Sequence, residues 1–412
     1  MLITLLAGGS RGDTQPYIAL GTALQQLGHR ARIATHEAHK PLVEPFGLEY
    51  APLHGDLSRV MSSQTARSAM QADNPLKVLR SFRQLRDLAA GLQSDYYAAC
   101  QDADAIVYHP GPGIGYFAAQ QLGIPAYFGA PFPMTPTRAF PALAFYHLPR
   151  LGRGFNLLSH KLFERIMWSV SGPVVKQFWK QQFGRAPEHF GPPYNRGITL
   201  ISCSPQVFPR PADWPDPVHM DGYWFLDEEP GWNPPADLER FLERGDPPVY
   251  IGFGSVGDVM QDNQATRMVV DALGRLGLRG VLATGWKGMA ASENLPESLF
   301  VLQSAPHAWL FPRMAAVVHH GGAGTTAAGL RAGVPGVILP HANDQFAWGW
   351  RIHELGVGSQ PIPRKKLSAE KLAAALEAAL STDTRLAAQS LGARIRQERG
   401  AEAAAQVISA GR

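Results

Sequence analysis

A carboxylate follows a predicted strand near the start of the chain, in the turn before a predicted helix. The apolar run 2–7 predicts a buried strand, and the glycine-rich segment 8–16 leads from it into a helical pattern over 16–27. Asp13 lies in that segment, a few residues after Ser10. An Asp at this place either caps the helix, which is a favoured role for Asp, or acts as a general base.

A dinucleotide-binding loop is the obvious alternative for this segment, since Glu37 after the next predicted strand would imitate the ribose-binding acid. The glycine spacing, however, is not GxGxxG. Asp13 would also place negative charge where a pyrophosphate needs the positive end of the helix. The segment therefore favours a base or an N-cap over a phosphate-binding loop.

Residues 317–328, late in the chain, predict a strand, a turn of small residues and the start of a helix. Unlike the segment with Asp13, this helix start has no acidic residue. Backbone N–H groups at such a helix start can approach a diphosphate closely, and the helix dipole favours its negative charge. A lone His beside it is more often structural, but here it could donate to a phosphate oxygen. The expected phosphate contacts are His320, Gly322, Gly324, Thr325 and Thr326.

Two other turns after predicted strands carry polar side chains. The segment 252–257 is glycine-rich and offers Ser255 to the distal phosphate, although such a turn alone is a weak signal. The segment 340–345 ends in Asp344 and Gln345, and an adjacent carboxylate and amide suit the hydroxyls of a sugar. An ordinary turn explains the second segment about equally well.

Short apolar runs alternate with helical stretches in both halves of the chain, which predicts two doubly wound, parallel α/β domains. In such sheets ligands bind at the carboxyl ends of the strands, so we expect the active site in a cleft where the domains face each other. The expected boundaries are a first domain over 1–226, a linker over 227–248, a second domain over 249–395, and a C-terminal helix over 396–412 that packs back on the first domain.

Composition excludes several classes of function. The formal charge of the 412-residue chain is only +4, and the sequence has no long basic block, so nucleic acid is not an expected partner. Cys100 and Cys203 have no CxxC partner, which excludes a cysteine zinc site and a disulfide framework. No apolar run reaches the length of a membrane span. We expect a cytoplasmic protein that at most touches a membrane surface.

Three motifs in this order resemble the UDP-glycosyltransferase superfamily with the GT-B fold, most closely the sterol glucosyltransferases of fungi and bacteria and the bacterial enzymes that glycosylate antibiotics. They are the segments 9–13, 133–141 and 319–326, and the resemblance covers essentially the whole chain. It implies that Asp13 is the base and that Ser10 lies close to the acceptor or the phosphates. It also implies that the segment with Ser304, Ala305 and His307 binds the nucleobase, and that Asp344 and Gln345 bind the sugar.

The chain departs from the family at one position. Plant members place a Glu on the ribose hydroxyls where this sequence has Ala328, which leaves a dTDP-sugar open as the donor. Trp286 would stack on the base instead, although a core or surface Trp explains it at least as well.

The acceptor side is expected in the first domain, with contacts from His109, Met134, Phe140 and Phe145. The segment 138–185 is rich in aromatic and basic residues, and Glu164 is its only acid. One hypothesis is a flexible region that forms a lipophilic pocket and rests on an anionic membrane. The other is a helical hairpin with an aromatic core face and a solvated basic face.

The resemblance implies an inverting glycosyltransferase that needs no metal and no cofactor and moves glucose or a similar hexose from a UDP-sugar to a hydroxyl of a lipophilic acceptor such as a sterol. The alternative is a UDP- or dTDP-sugar-dependent enzyme that acts on antibiotics or other natural products. A sugar-nucleotide epimerase and an NAD-dependent oxidoreductase are weaker alternatives, because Asp13 and the missing GxGxxG oppose the second of them.

Overall fold

The computed structural model describes residues 1–54, 86–111, 113–226, 231–252, 263–283, 296–341 and 344–411. Contacts divide the chain into two compact units. The first contains Met1–Ala142, Arg150–Leu226 and Arg399–Arg412, and the second contains Leu143–Pro149 and Asp227–Glu398. Each unit is built around its own parallel sheet.

The sheet of the first unit has seven parallel strands in the order β3-β2-β1-β4-β5-β6-β7. The strand order reverses between the central pair β1 and β4, so this pair forms the topological switch point of the sheet. Leu6 of β1 is in register with Tyr108 of β4, and the turns that follow the two strands are therefore neighbours. The strands are β1 Leu2–Leu6, β2 Arg30–His36, β3 Glu49–Leu53, β4 Ala105–Tyr108, β5 Ala126–Ala130, β6 Ile198–Ser202 and β7 Val218–Gly222.

Helices cover the sheet of the first unit on both faces. The helix α1 and the C-terminal helix α6 pack on each other and share one core with the strands, with Leu20, Leu24, Ala404 and Ile408 buried in it. Helices such as α1 and α4 form crossover connections between parallel strands, which cannot be joined by tight turns. The helices are α1 Arg11–Gln26, α2 Lys40–Val43, α3 Arg86–Cys100, α4 Ile114–Leu122, α5 Arg153–Phe183 and α6 Gly400–Ala410.

The second unit has five parallel strands in the order β10-β9-β8-β11-β12. Its switch point lies between β8 and β11, where His319 is in register with Gly252. The strands are β8 Val249–Gly252, β9 Gly280–Ala283, β10 Leu299–Leu302, β11 Ala316–His319 and β12 Gly336–Ile338. The helices, labelled α7 to α13 in chain order within this unit, are Ala236–Glu243, Asn263–Arg275, His307–Leu310, Ala323–Ala332, Gln345–Glu354, Ala369–Ala379 and Thr382–Ile395.

The structure confirms the two parallel α/β domains and changes several of their details. Helix α1 begins at Arg11 rather than at residue 16, because Ser10 caps it and Pro16 is accommodated inside the helix. The expected linker 227–248 contains helix α7, and the Pro- and Trp-rich segment before it contains β7. The segment Leu143–Pro149, which the sequence boundaries place in the first domain, groups with the second unit. There the hydroxyl of Tyr146 donates to Glu354 Oε2 at 2.7 Å.

The segment 138–185 is neither a flexible region nor a hairpin over most of its length, because Arg153–Phe183 forms the single helix α5. Pro173 lies inside this helix and removes one backbone donor without ending it. Residues that follow Pro173 are buried and hold the second half of the helix in line. They are Val174, Val175, Phe178 and Trp179.

Candidate active site

Asp13 is held by the turn that it helps to form. It is the third residue of α1, and its Oδ2 accepts hydrogen bonds from the backbone N–H of Ser10 at 2.7 Å and from Ser10 Oγ at 2.8 Å. The first N–H groups of a helix have no partner inside the helix, so an acceptor at this position stabilises its start. The carboxylate therefore does cap the helix, but through one oxygen only.

The other oxygen of Asp13 lies beside His109, which follows β4 on the neighbouring strand of the sheet. The backbone N–H of Gly111 donates to His109 Nδ1 at 3.1 Å, so we assign the proton of the neutral ring to Nε2. That Nε2 lies 3.5 Å from Asp13 Oδ1, slightly beyond a good hydrogen bond. The sequence prediction made His109 an acceptor contact, and the structure also makes it the neighbour of the candidate base.

These contacts set the protonation state of Asp13. Burial raises the pKa of its carboxyl, but the side chain of His109 and the two hydrogen bonds from Ser10 outweigh burial, and the pKa lies below its ordinary value. Asp13 is therefore ionised at neutral pH. A carboxylate that keeps its charge in a half-buried place can accept a proton from a hydroxyl that approaches it.

A small apolar pocket opens beside this pair, with room for about one water-sized group. Asp13, His109, Tyr17 and Trp224 are among its walls. Tyr17 donates to the carbonyl of Gly129 at 2.8 Å, and its ring meets Trp224 edge-on at 5.7 Å. The walls are therefore fixed by contacts of their own. A hydroxyl on an apolar body fits such a place better than a strongly polar group does.

Residues on the other side of α1 were not predicted from the sequence. Thr14 Oγ1 lies 3.1 Å from His39 Nδ1 and 3.1 Å from Thr35 Oγ1. His36 is the last residue of β2, and His39 follows it. Burial lowers the pKa of both imidazoles. Because β2 is the neighbour of β1 in the sheet, its carboxyl end adjoins the Asp13 turn, and this adjacency was the signal that could have located both histidines.

Glycines before Asp13 leave room for its carboxylate. A Cβ on Gly9 would overlap Asp13 Oδ2, and the φ of Gly9 is +145°, which L side chains rarely adopt. A Cβ on Gly8 would overlap the hydroxyl of Tyr96. The glycines at positions 8 and 9 therefore leave space for the side chains of Tyr96 and Asp13.

Replacing Gly9 by Ala should displace the Asp13 side chain and lower kcat by about 10²-fold, since small misplacements of a reacting group have effects of this order. Gly28→Ala is the matched control, because Gly28 also has positive φ, at +81°, but a Cβ there meets nothing within 4 Å. Steady-state rates and thermal unfolding of both variants would be compared. Equal rates for the two variants would show that the position of Asp13 does not depend on Gly9.

Replacing His109 by Ala removes a partner that lowers the pKa of Asp13, while burial, which raises it, remains. The pKa of Asp13 should rise, so the acidic limb of the kcat/KM profile, where the base becomes protonated, should move to higher pH. His109→Gln should restore part of the shift through its amide N–H, and the exposed His353→Ala serves as the control. An unchanged acidic limb in His109→Ala would contradict the coupling.

The helix start in the second unit carries no acid. Strand β11 ends at His319, Gly321 turns with φ +91°, and Gly322 is the N-cap of the helix Ala323–Ala332, labelled α10. A Cβ on Gly321 would lie 2.7 Å from Ile338 Cγ2 and 3.0 Å from the carbonyl oxygen of Gln345. Glycine is thus required where the turn approaches the next loop, and the first N–H groups of α10 remain available to an anion.

His320 lies beside this helix start. Burial lowers the pKa of its imidazole to about 4, so it is neutral at pH 7. Its Nδ1 is buried and has no hydrogen-bond partner within the described ranges. A Cβ on Gly322 would lie 2.6 Å from His320 Nε2, so the glycine leaves space for the ring. A neutral ring can still donate one N–H to a phosphate oxygen.

The two threonines of the turn differ. Thr326 is buried, and its hydroxyl donates to the carbonyl of Gly322 at 2.9 Å, so its hydrogen is already used inside the helix. Thr325 is half-buried, and Gly324 is exposed. Thr326 therefore donates within the helix in this structure, and its predicted contact with a phosphate stays a prediction.

Asp344 and Gln345 are fixed at the start of the helix Gln345–Glu354, which is α11. Asp344 Oδ2 accepts from the indole N–H of Trp348 at 3.0 Å, and Gln345 Oε1 accepts from the backbone N–H of His341 at 2.8 Å. Because the carbonyl of Gln345 adjoins Gly321, this pair lies next to the glycine turn after β11. The structure therefore brings together the predicted sugar and phosphate residues of the second unit.

The predicted nucleobase segment follows β10. Ser304 is exposed and Ala305 half-buried. The imidazole of His307 stacks on Phe311 with ring centroids 4.2 Å apart and meets Tyr250 edge-on at 5.9 Å. Ser255 and Trp286 lie outside the described residues.

The predicted acceptor residues do not all gather beside Asp13. Met134 is buried, and Phe140 packs on Phe208 with centroids 5.3 Å apart. Phe145 belongs to the second unit. Only His109 is among the described walls of the pocket that contains Asp13.

Two family models match the chain. The glycosyltransferase family 28 N-terminal domain matches residues 3–141. The erythromycin biosynthesis protein CIII-like C-terminal domain matches residues 267–410. The first match contains the Asp13 turn and the second contains the glycine turn after β11.

Curated relatives align with nearly the whole chain. The sterol 3-beta-glucosyltransferase of Aspergillus fumigatus is 38% identical over 420 residues, which cover 98% of this chain and 29% of that protein. A sterol 3-beta-glucosyltransferase of Arabidopsis thaliana is 34% identical over 415 residues, which cover 98% of this chain and 66% of that protein. The chain thus spans under a third of the fungal relative and about two thirds of the plant one.

Solved structures share the fold. The glycotransferase of kitacinnamycin superposes with a TM-score of 0.71 at 20% identity, covering 99% of this chain and 97% of that one. The glycosyltransferase VinC in complex with dTDP superposes with a TM-score of 0.66 at 19% identity, covering 99% of both chains.

The two parallel-sheet units have the GT-B fold of the superposed glycosyltransferases, and both matched domains are found in such proteins. The chain belongs to the UDP-glycosyltransferase superfamily, and its relatives at 34% and 38% identity are sterol 3-beta-glucosyltransferases. The resemblance drawn from the three sequence motifs is confirmed.

Proposed function

We propose that the protein transfers glucose from UDP-glucose to the hydroxyl of a sterol-like acceptor with inversion at the anomeric carbon. The observation that carries the proposal is the ionised Asp13, fixed by Ser10 through one oxygen and facing a small apolar pocket beside His109. The names of the aligned relatives support the choice of glucose and a sterol.

Asp13 acts as the general base. The acceptor oxygen attacks C1 of the sugar while its proton moves to Asp13 Oδ1 or Oδ2, and the bond between C1 and the diphosphate oxygen breaks with its electron pair. The leaving diphosphate carries that charge away. Attack on the side opposite the leaving group inverts the configuration at C1. His109 is a positioning residue in this scheme, because it acts through Asp13.

The second unit supplies the donor site. The N–H groups at the start of α10 and the neutral His320 stabilise the charge that grows on the diphosphate. Asp344 and Gln345, fixed beside that turn, contact the sugar hydroxyls. Fixed donors of this kind do the work that a divalent ion does in other transferases, so we propose a metal-independent reaction.

A dTDP-sugar is the second candidate donor. Ala328 packs against the apolar core of the second unit, so no carboxylate contacts the ribose from this position. The structural neighbour VinC was solved with dTDP. A donor with a deoxyribose, and with it a natural-product acceptor, is the alternative that an assay must separate from UDP-glucose.

The acceptor is proposed to be lipophilic, and a lipophilic alcohol is reached at a membrane surface. None of the helices in the part of the chain that the structure describes is long and apolar enough to cross a membrane. We therefore propose a peripheral contact with the bilayer. We propose no nucleic-acid partner, because the formal charge of the chain is only +4.

Asp13→Asn should lower the rate of glucosyl transfer by about 10²–10⁴-fold, the usual contribution of a general base. The affinity for UDP-glucose should stay nearly unchanged, because Asp13 lies in the first unit. Transfer would be followed by mass spectrometry with UDP-glucose or dTDP-glucose and a panel of sterols, phenols and macrolides. The surface variant Asp271→Asn is the matched control.

The same assay in the presence of EDTA tests the proposed independence from metals, and turnover should persist. Equal transfer by Asp13→Asn and Asp271→Asn would remove Asp13 from the mechanism. Glycosylation of macrolides alone, from dTDP-glucose alone, would replace the proposed substrates by the second candidate.

A further inference from the structure

The first half of helix α5 exposes a row of large apolar side chains. Leu158 is 61% exposed, Leu162 45% and Ile166 48%, and their spacing of four residues places them on one face of the helix. Leu151, just before the helix, is 62% exposed. Single exposed leucines are ordinary, but a contiguous row of them on a helix marks a surface that contacts another apolar phase. We call this row, Leu151, Leu158, Leu162 and Ile166, the α5 apolar face.

Two buried side chains next to the exposed row anchor the same helix to the protein. Ser159 Oγ accepts from the backbone N–H of Ala142 at 2.9 Å, and His160 Nε2 lies 3.1 Å from the carbonyl oxygen of Phe140. Both side chains are buried. The orientation of the helix is therefore fixed, and the α5 apolar face is held outward rather than free to turn inward.

The exposed charged side chains that the segment 138–185 places around the α5 apolar face are all basic, and Asp213 from outside the segment is close to Arg153 at one end of the row. Lys161 and Arg165 are exposed and lie within one turn of the exposed leucines, and Arg150 and Arg153 are exposed next to the start of the row. Glu164, the only acid between residues 138 and 185, accepts a hydrogen bond from Asn195 Nδ2 at 2.7 Å and is partly buried. No acidic side chain of this segment therefore opposes the basic rim.

The same face continues toward the end of the helix as exposed Pro173, Lys176 and Lys180. An apolar row with a basic rim is the pattern of a helix that lies in the interface of a bilayer, with leucines at the level of the acyl chains and basic groups at anionic headgroups. An apolar protein partner would not require the basic rim.

We propose that the α5 apolar face docks the protein on a membrane that contains anionic lipid. The proposal deepens the peripheral contact proposed above by naming the face and the lipid charge. Leu158 and Leu162 insert at the interface, and Lys161 and Arg165 bind phosphate or carboxylate groups of the lipids. The acceptor then reaches the protein from the layer in which it is dissolved.

Flotation of the full chain with vesicles tests the proposal. Wild type should float with vesicles of phosphatidylcholine mixed with phosphatidylserine, and less with phosphatidylcholine alone or at high salt. The double variant L158E/L162E should bind at least about ten-fold more weakly, because it places charge where apolar groups insert. Leu386→Glu is the matched control, since Leu386 is 59% exposed on a helix of the other unit.

The charge component has its own variant. K161Q/R165Q should weaken binding to the anionic vesicles by roughly five-fold for each charge removed, which corresponds to ~1 kcal/mol per basic residue. Binding to phosphatidylcholine alone should not change. The control K371Q/R385Q removes two exposed charges from the second unit and should leave flotation as in wild type.

Wild type that does not float, or L158E/L162E that floats like wild type, would overturn the proposal. A concentration-dependent dimer that this variant dissolves, without flotation, would assign the face to a second copy of the chain. Transfer to a sterol in detergent micelles, where docking is not needed, should be equal in wild type and L158E/L162E. Loss of that transfer in both would count against the proposed function and not against the docking face.

Discussion

The first N–H groups of an α-helix need an acceptor, and in both units this need arises in the turn after a buried parallel strand at a topological switch point. In the first unit the carboxylate of Asp13 is that acceptor, because its Oδ2 accepts from the backbone N–H of Ser10. In the second unit the corresponding turn has glycines and no acid, so the need is left for a bound anion. This difference between the two helix starts supports the proton-accepting site proposed in the first unit and the phosphate-binding site proposed in the second.

The state of Asp13 follows from where its two oxygens point. Burial raises the pKa of Asp13, but His109 and Ser10 lower it further, so the half-buried carboxylate is ionised. At His320 burial lowers the pKa, so the imidazole is neutral. It can therefore donate an N–H without carrying a positive charge. Glycines at positions 9 and 322 are part of both arrangements, because a Cβ at either position would occupy the space of the functional side chain.

Sequence reasoning located the strands and the two turns because buried parallel strands are nearly continuous apolar runs. It placed the start of α1 too late, at the favourable Pro16, because the cap formed by Ser10 and Asp13 depends on side-chain geometry. It did not pair His109 with Asp13, since that contact comes from the strand order, in which β4 lies beside β1. It also did not foresee that Leu143–Pro149 would leave the first unit, because long-range contacts such as that of Tyr146 with Glu354 have no local signal.

We propose that an acceptor hydroxyl, activated by Asp13, displaces the diphosphate directly at C1. The configuration of the product tests it most directly, because a single displacement on UDP-α-glucose gives only the β-glucoside. We would isolate the glucosylated sterol and measure the coupling between H1 and H2 of its sugar by proton NMR. The account predicts the large coupling of a β-linked glucose, and the small coupling of an α-linked product would contradict it.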